Sequence, residues 1–189
     1  MDNDMKELEI PRQEQPPITP KYVSKKGFVT IPVLRGFSEI ENLYNDLDRF
    51  DVFICGGYVR YMCSTHQNPT QAGDVDIYCQ SPEEFEKLKT FMITTKEMNI
   101  RHENNVSITF TRKSLDHPYF ACGTIQLIKP IKQGKIVAFG SMQEILENFD
   151  FTVIRCGLIS QYSAMVDADF EHDEQNKILR LKNIHCPIS

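Results

Sequence analysis

The segment Gly73–Tyr78 is the part of the sequence that most restricts how this chain can fold. Its residues alternate between acidic and apolar: Asp74 and Asp76 are separated by Val75 and followed by Ile77. Because alternate side chains of a β-strand share a face, the pattern predicts a strand that buries the apolar residues and presents both carboxylates on one side. Two carboxylates this close repel each other unless a cation lies between them. The segment therefore indicates a cation site on a strand.

Magnesium is the cation that this pattern favours. It prefers oxygen ligands and is commonly held by one or two carboxylates together with substrate phosphates. Two such ions would activate an attacking hydroxyl and stabilise a pyrophosphate leaving group. Taken alone, two aspartates in a D-x-D pattern also occur on many surface strands and turns, so the assignment needs a second motif.

The second motif is a glycine pair, Gly56–Gly57, between an apolar run ending at Cys55 and a helical pattern beginning at Tyr58. Glycines let backbone amides approach an anion closely, and a helix N-terminus adds the positive end of its dipole. Arg60, in the first turns of that helix, would then contact a phosphate. The alternative is an ordinary glycine turn in which Arg60 pairs with a surface acid.

Periodicity and capping patterns predict an α/β fold, a mixed sheet with helices packed mainly on one side. Capping boxes predict helix starts at Ser38 and Ser141, and a serine–proline pair predicts one at Ser81. The predicted helices cover residues 38–50, 58–64, 81–98 and 141–148, with weaker helical or turn character at 169–183. The predicted strands cover residues 51–55, 74–79, 106–112, 124–129, 151–159 and 162–166.

Length and composition fit one domain with a short appendage. The chain has 189 residues, 41% of them hydrophobic, and a formal net charge of -5, which disfavours a broad phosphate-backbone interface. Residues 1–26 contain four prolines among polar neighbours and are predicted to form a flexible arm, with the domain over residues 27–189. Extended proline segments bind partners at low entropic cost, so the arm is a candidate docking element.

The chain is expected to be cytoplasmic and not to associate with membranes. It contains no apolar run of about 20 residues, and its acidic start is unlike a signal peptide. Its six cysteines are scattered, with no C-x-x-C pair, which argues against a disulfide framework. The five histidines show no spacing typical of zinc ligands.

Three motifs in order resemble the head domain of the CCA-adding enzyme and poly(A) polymerase family, within the DNA polymerase beta-like nucleotidyltransferase superfamily. They are Gly56-Gly57-Tyr58-Val59-Arg60, then Asp74-Val75-Asp76-Ile77 beginning 17 residues after Gly57, and Asn148-Phe149-Asp150-Phe151-Thr152-Val153. The resemblance covers roughly residues 50–180. The compact form is similar to minimal nucleotidyltransferases of mobile elements, bacteriophages and toxin–antitoxin systems. Residues after position 160 are not expected to supply the long helical body that holds tRNA in CCA-adding enzymes.

The resemblance implies an ATP- or other NTP-binding transferase that moves a nucleoside monophosphate to a hydroxyl acceptor, either an RNA 3′ end, a protein or a small molecule. Gly56 and Gly57 would face the triphosphate, Asp74 and Asp76 would bind two magnesium ions, and Asp150 would lie near the ribose or base.

The chain departs from the family pattern at several positions. Tyr61 replaces an acid, and Asn148 and Phe149 replace two arginines. Where the family pattern has a third metal-binding carboxylate, this chain has Asn105, a poorer magnesium ligand. Either Asp150, the first choice because it is predicted to begin a strand, or Glu103 would complete the site. The rival interpretation is a catalytically weakened nucleotide-binding or assembly module on the same fold.

Overall fold

The computed structural model describes residues 27–65, 73–111, 124–134 and 136–183. Five α-helices and ten β-strands lie within these ranges. The helices are α1 (Phe37–Leu47), α2 (Gly57–Cys63), α3 (Pro82–Thr94), α4 (Met142–Glu147) and α5 (Phe170–Gln175). The strands are β1 (Phe28–Pro32), β2 (Val52–Cys55), β3 (Val75–Cys79), β4 (Asn99–Glu103), β5 (Ser107–Thr111), β6 (Ile125–Ile128), β7 (Lys132–Gln133), β8 (Ile136–Val137), β9 (Cys156–Ser160) and β10 (Ser163–Asp167).

Eight of the described strands form one sheet in the order β1-β10-β9-β2-β3-β6-β5-β4, and β7 and β8 form a separate two-stranded ribbon. In the large sheet β3 and β6 run parallel, and the other neighbouring pairs are antiparallel. This is the mixed α/β sheet that the sequence predicts. The order places β3, with its aspartates, in the middle of the sheet.

The two faces of the sheet are covered unequally. Residues of α1, α2 and α3 pack in the main core with alternate strand residues such as Ile54 and Ile77. The intervening residues Phe53, Cys55 and Tyr78 face the other side, where they pack with α4. The helices α1, α2 and α3, joined by Phe170 of α5, therefore lie on one face and α4 on the other, as the prediction of helices mainly on one side requires. The face that α4 covers is the face of Asp76.

Two of the three predicted helix starts are confirmed. The Ser81 side chain accepts a hydrogen bond from the Glu84 backbone, with Pro82 in the first turn of α3. Ser141 and Glu144 form the full capping box of α4. The box predicted at Ser38 is wrong, because α1 begins at Phe37 and has no side-chain cap. The helix nevertheless buries one apolar face, formed by Ile40, Leu43 and Leu47.

Other predictions are corrected by the structure. The strand expected over residues 151–159 is divided: a 3₁₀ helix at Thr152–Ile154 precedes β9. The sequence patterns predict neither β1 nor β4. The arm expected over residues 1–26 lies outside the described residues. None of the described helices is both long and apolar enough to cross a bilayer.

Candidate nucleotide and metal site

Gly56 forms the tight turn between β2 and α2. Its backbone has φ 88° and ψ -146°, a conformation that is essentially restricted to glycine. The residue is buried, and its N–H donates to the carbonyl of Cys156 at 2.7 Å, which fixes the turn to the start of β9. Gly57 follows as the first residue of α2 and is exposed. The glycine at position 56 is therefore required by the backbone.

Asp76 lies directly beside this turn. Val75 and Ile77 are fully buried in the main core, so the intervening side chain points to the opposite face, where it is partly exposed. In the sheet register Asp76 is opposite Cys55 on β2. A Cβ added to Gly56 would lie 3.2 Å from Asp76 Oδ2. The structure thus brings the predicted carboxylate and the predicted glycine turn together.

Burial and the neighbouring carboxylate together determine the electrostatics of Asp76. Burial raises the pKa of the Asp76 carboxyl to about 7, and the negative charge of Asp74 contributes in the same direction. Burial likewise raises the pKa of Tyr78 well above its usual value, and Asp76 adds to that effect. A divalent cation between the two carboxylates would reverse this preference for the protonated form.

Thr124 and Gln126, two residues that the sequence analysis did not select, hold the other aspartate. The Thr124 hydroxyl donates to Asp74 Oδ1, and the Gln126 side-chain amide donates to Asp74 Oδ2. Gln126 lies on β6 in register with Asp76. The sequence carries a signal for both residues. Thr124 and Gln126 are polar residues at alternate positions of a segment that is otherwise apolar as far as Ile128, and such a segment is typical of a central strand.

Arg60 does not point toward the aspartates. Its Nε donates to Glu174 Oε2 at 2.8 Å, and the Ser64 hydroxyl donates to the other oxygen of the same carboxylate at 2.9 Å. Glu174 is buried and belongs to α5. The arrangement matches the alternative in which Arg60 pairs with an acid, although the acid is buried. Arg60 thereby fastens α2, the helix after the glycine turn, to α5.

Neither candidate for a third carboxylate joins the pair. Glu103 is on β4, at the sheet edge, separated from β3 by β5 and β6, and its carboxylate binds Lys129 Nζ at 2.7 Å. Asp150 does not begin a strand, because residues 152–154 form the 3₁₀ helix, and its carbonyl accepts from the Lys182 N–H. Among the described residues, no group of three or more acidic, histidine or cysteine side chains could hold a metal ion.

The positions where the family pattern is altered have structural roles. Tyr61 is buried and packs against Tyr58 with ring centroids 5.7 Å apart. Phe149 packs against Tyr78, with centroids 5.5 Å apart, on the face of the sheet that carries Asp76. Asn148 ends α4, and its amide donates to the Glu144 carbonyl at 2.6 Å. Aromatic packing and a helix cap thus replace the charged groups of the pattern.

The side chains at the turn fit a magnesium ion in part. Magnesium is commonly bound through one or two protein carboxylates, the remaining ligands being water and phosphate oxygens. Asp74 and Asp76 supply that number, and the Asp76 carboxylate lies beside the Gly56 turn, 3.2 Å from the position of a Cβ on that glycine. A cavity of about 270 Å³ lies elsewhere, near Val52, Leu158 and Tyr44; neither aspartate is among the residues that line it.

The eight-stranded mixed sheet and its helices have a nucleotidyltransferase-like fold. The Bacillus stearothermophilus CCA-adding enzyme in complex with CTP is similar over 78% of this chain and 33% of that chain, with a TM-score of 0.51 and 18% identity. A tRNA nucleotidyltransferase complexed with a primer tRNA and an incoming ATP analog is similar over 75% of this chain and 38% of that chain, with a TM-score of 0.49 and 16% identity. This chain spans about a third of the length of such structures.

The family is shown by sequence. The model described as Gabija anti-defense 2 family protein matches residues 33–177, and the chain belongs to that family. No curated protein sequence matches the chain significantly. The matched region contains the glycine turn, both aspartates and all of α1 to α5.

Proposed function

We propose that this protein is a magnesium-dependent nucleotidyltransferase that transfers a nucleoside monophosphate from an NTP to a hydroxyl acceptor, and that it counters the Gabija defence in the host cytoplasm by this reaction. The observation that carries the proposal is the contact between the two motifs. Asp76 Oδ2 lies 3.2 Å from the position of a Cβ on Gly56, so the carboxylate and the glycine turn face one space.

The residues have distinct roles in this proposal. Asp74 and Asp76 hold magnesium, which when bound neutralises charge on the triphosphate and lowers the pKa of an attacking hydroxyl. Gly56 and Gly57 let the backbone come close to the phosphates, because neither carries a side chain. The Asp76 carboxyl, whose pKa burial raises to about 7, would serve as a metal ligand in its deprotonated form.

A second candidate function has an observation in its favour. The described residues offer two carboxylates and no third acid near them, which is consistent with a module that binds a nucleotide without transferring it, or that serves in assembly. In that alternative, the segment of residues 1–26 docks a protein partner. The two functions differ in whether a covalent product forms.

The experiment uses NTPs labelled at the α-phosphate, since this phosphorus stays with the transferred group. The purified protein is incubated with each NTP, magnesium, and an extract of cells that carry Gabija, and the label is followed separately in RNA, protein and small molecules. The double variant Asp74→Asn, Asp76→Asn is compared with Glu103→Gln, which removes one carboxylate at the far edge of the sheet.

We expect labelled product with the wild type and Glu103→Gln and none with the double variant. Equal labelling by the double variant would exclude the aspartate pair as the catalytic centre. If no variant labels any fraction, calorimetric titration with ATP and magnesium decides between the alternatives: binding that the double variant loses supports a nucleotide-binding module, and the lack of binding supports an assembly role.

A further inference from the structure

Gln126 is the side chain that the neighbouring strand brings closest to the aspartate pair. Strand β6 lies directly beside β3 and runs parallel to it, with Gln126 in register with Asp76. Residues in register on adjacent strands share a face and lie about 5 Å apart. An acid at this position would reach a cation held by the pair. The chain has a neutral amide there.

The amide also has a defined partner. It donates to Asp74 Oδ2, while Thr124 donates to Asp74 Oδ1, so each oxygen of this carboxylate accepts one hydrogen bond from a neutral group. A carboxylate has about four lone-pair positions, so each oxygen keeps capacity for a metal ion. The two donors fix the orientation of the carboxylate without removing its charge.

We propose that Gln126 is a positioning residue that limits the protein's own metal content to one divalent cation. The inference rests on the proposed function. Two carboxylates carry a charge that balances one divalent ion, and a second ion would enter with the negative charge of the triphosphate. Gln126 and Thr124 hold Asp74 in the orientation that this first ion requires.

The amide also changes how the site behaves without a ligand. A third carboxylate next to Asp74 and Asp76 would add like-charge repulsion whenever no cation is bound. The amide instead adds no charge while it orients Asp74, so the affinity for a free metal ion is lower than it would be with a carboxylate at position 126. Binding of a second cation therefore depends on the presence of the nucleotide.

The test is a manganese titration of the full chain in the absence of nucleotide, followed by electron paramagnetic resonance, since bound and free Mn²⁺ are distinguished directly. The variants are Gln126→Glu, Gln126→Ala and Thr124→Val. The matched control is Thr109→Glu: Thr109 is paired with Gln126 on β5, so the same charge is added one strand farther from the aspartates.

We expect the wild type to bind one Mn²⁺ per chain. Gln126→Glu binds the first ion roughly tenfold or more tightly and takes up a second, because a charged ligand is added to the site. Gln126→Ala weakens binding by about three- to tenfold, since Asp74 loses a bond that orients it, as loss of such outer contacts typically does. Thr109→Glu changes the affinity by less than about twofold.

Several results would overturn the inference: two ions bound by the wild type without nucleotide, equal affinities for Gln126→Glu and Thr109→Glu, or unchanged binding by Gln126→Ala. If Gln126→Glu does not fold, as judged by circular dichroism, the comparison of Gln126→Ala and Thr124→Val with the wild type carries the test. The variant Asp76→Asn separates the two proposals. If it binds manganese like the wild type, the metal site itself is refuted; if it loses binding while Gln126→Glu changes nothing, only the role of Gln126 is refuted.

Discussion

Replacing Gly56 by alanine adds one carbon atom, Cβ, which affects both the backbone of the turn and the candidate site. Gly56 has φ 88° and ψ -146°, and a side chain in such a conformation costs about 1–3 kcal/mol. The new Cβ would also lie 3.2 Å from Asp76 Oδ2, so the carboxylate must move by a few tenths of an ångström. The turn cannot relax freely, because the Gly56 N–H is bonded to Cys156. We expect the free energy of unfolding to fall by about 2–3 kcal/mol.

The neighbouring glycine supplies the control. Gly57 has an ordinary helical backbone, nothing lies within 4 Å of its Cβ position, and it is exposed. Gly57→Ala should therefore leave stability unchanged or raise it by about 0.4–1 kcal/mol, since alanine restricts the unfolded chain. Urea unfolding followed by tyrosine fluorescence measures both variants, because the chain has seven tyrosines and no tryptophan.

A manganese titration of the same two variants tests the link to the site. The Gly56 variant should bind more weakly than the wild type, and the Gly57 variant should bind equally well. If Gly56→Ala unfolds within about 0.5 kcal/mol of the wild type and keeps its metal affinity, the turn is neither strained nor in contact with Asp76. That result would refute the reasoning about the site.

Three further changes have defined outcomes. Because folding raises the pKa of Asp76 from 3.8 to about 7, the metal-free protein should lose about 2–4 kcal/mol of stability as pH rises from 4 to 7, and Asp76→Asn should abolish that slope in urea unfolding at several pH values. Arg180 holds the pKa of the Asp173 carboxyl well below its usual range, so this ion pair stabilises the folded protein fully above about pH 4 and less at lower pH. Asp173→Asn should lower the free energy of unfolding by about 1.5–3 kcal/mol at pH 7 in the same assay. In Gly157→Ala the new Cβ would lie 2.5 Å from Met142 Sδ, so stability should fall by about 1–3 kcal/mol, and adding Met142→Ala should restore part of it in thermal unfolding.

For each of these predictions, one experimental result would contradict it. An unfolding free energy for Asp76→Asn that follows the wild type at every pH would mean that the carboxyl titrates alike in both states. An Asp173→Asn protein with the same free energy of unfolding as the wild type would show that solvent replaces the ion pair without loss of stability. If Met142→Ala does not offset Gly157→Ala, the loss arises in the backbone of β9 and not in the contact with α4.

The sequence could predict those elements whose causes are local. The starts of α3 and α4 follow from serine caps at Ser81 and Ser141, and the alternation around Asp76 predicts β3 and the direction of its side chains. The glycine turn could be predicted for the same reason, since the pair Gly56–Gly57 separates an apolar run from a helical pattern. These features depend on a few neighbouring residues in the chain.

The rest depends on neighbours that are distant in sequence. Gln126 meets Asp74 because β6 lies beside β3, a pairing that no local pattern encodes. Glu103 is excluded from the site by strand order alone, which places β4 at the edge. β4 itself was not predicted, because all five of its residues are exposed and show no alternation of burial. Arg60 meets Glu174 across 114 residues of chain.

The strand order also has a consequence for how the protein is made. β1 pairs with β10, and β2 has β9 as its neighbour, so among the described strands the first two to be synthesised acquire these neighbours only after the last two have been made. The Gly56 turn is bonded to Cys156, and α2 is fastened by Glu174. While the chain emerges from the ribosome, β2 therefore has an open edge until residues 156–174 have been translated, and such edges promote association with other chains. The aspartates are in place early in synthesis, and the turn that faces them is completed late.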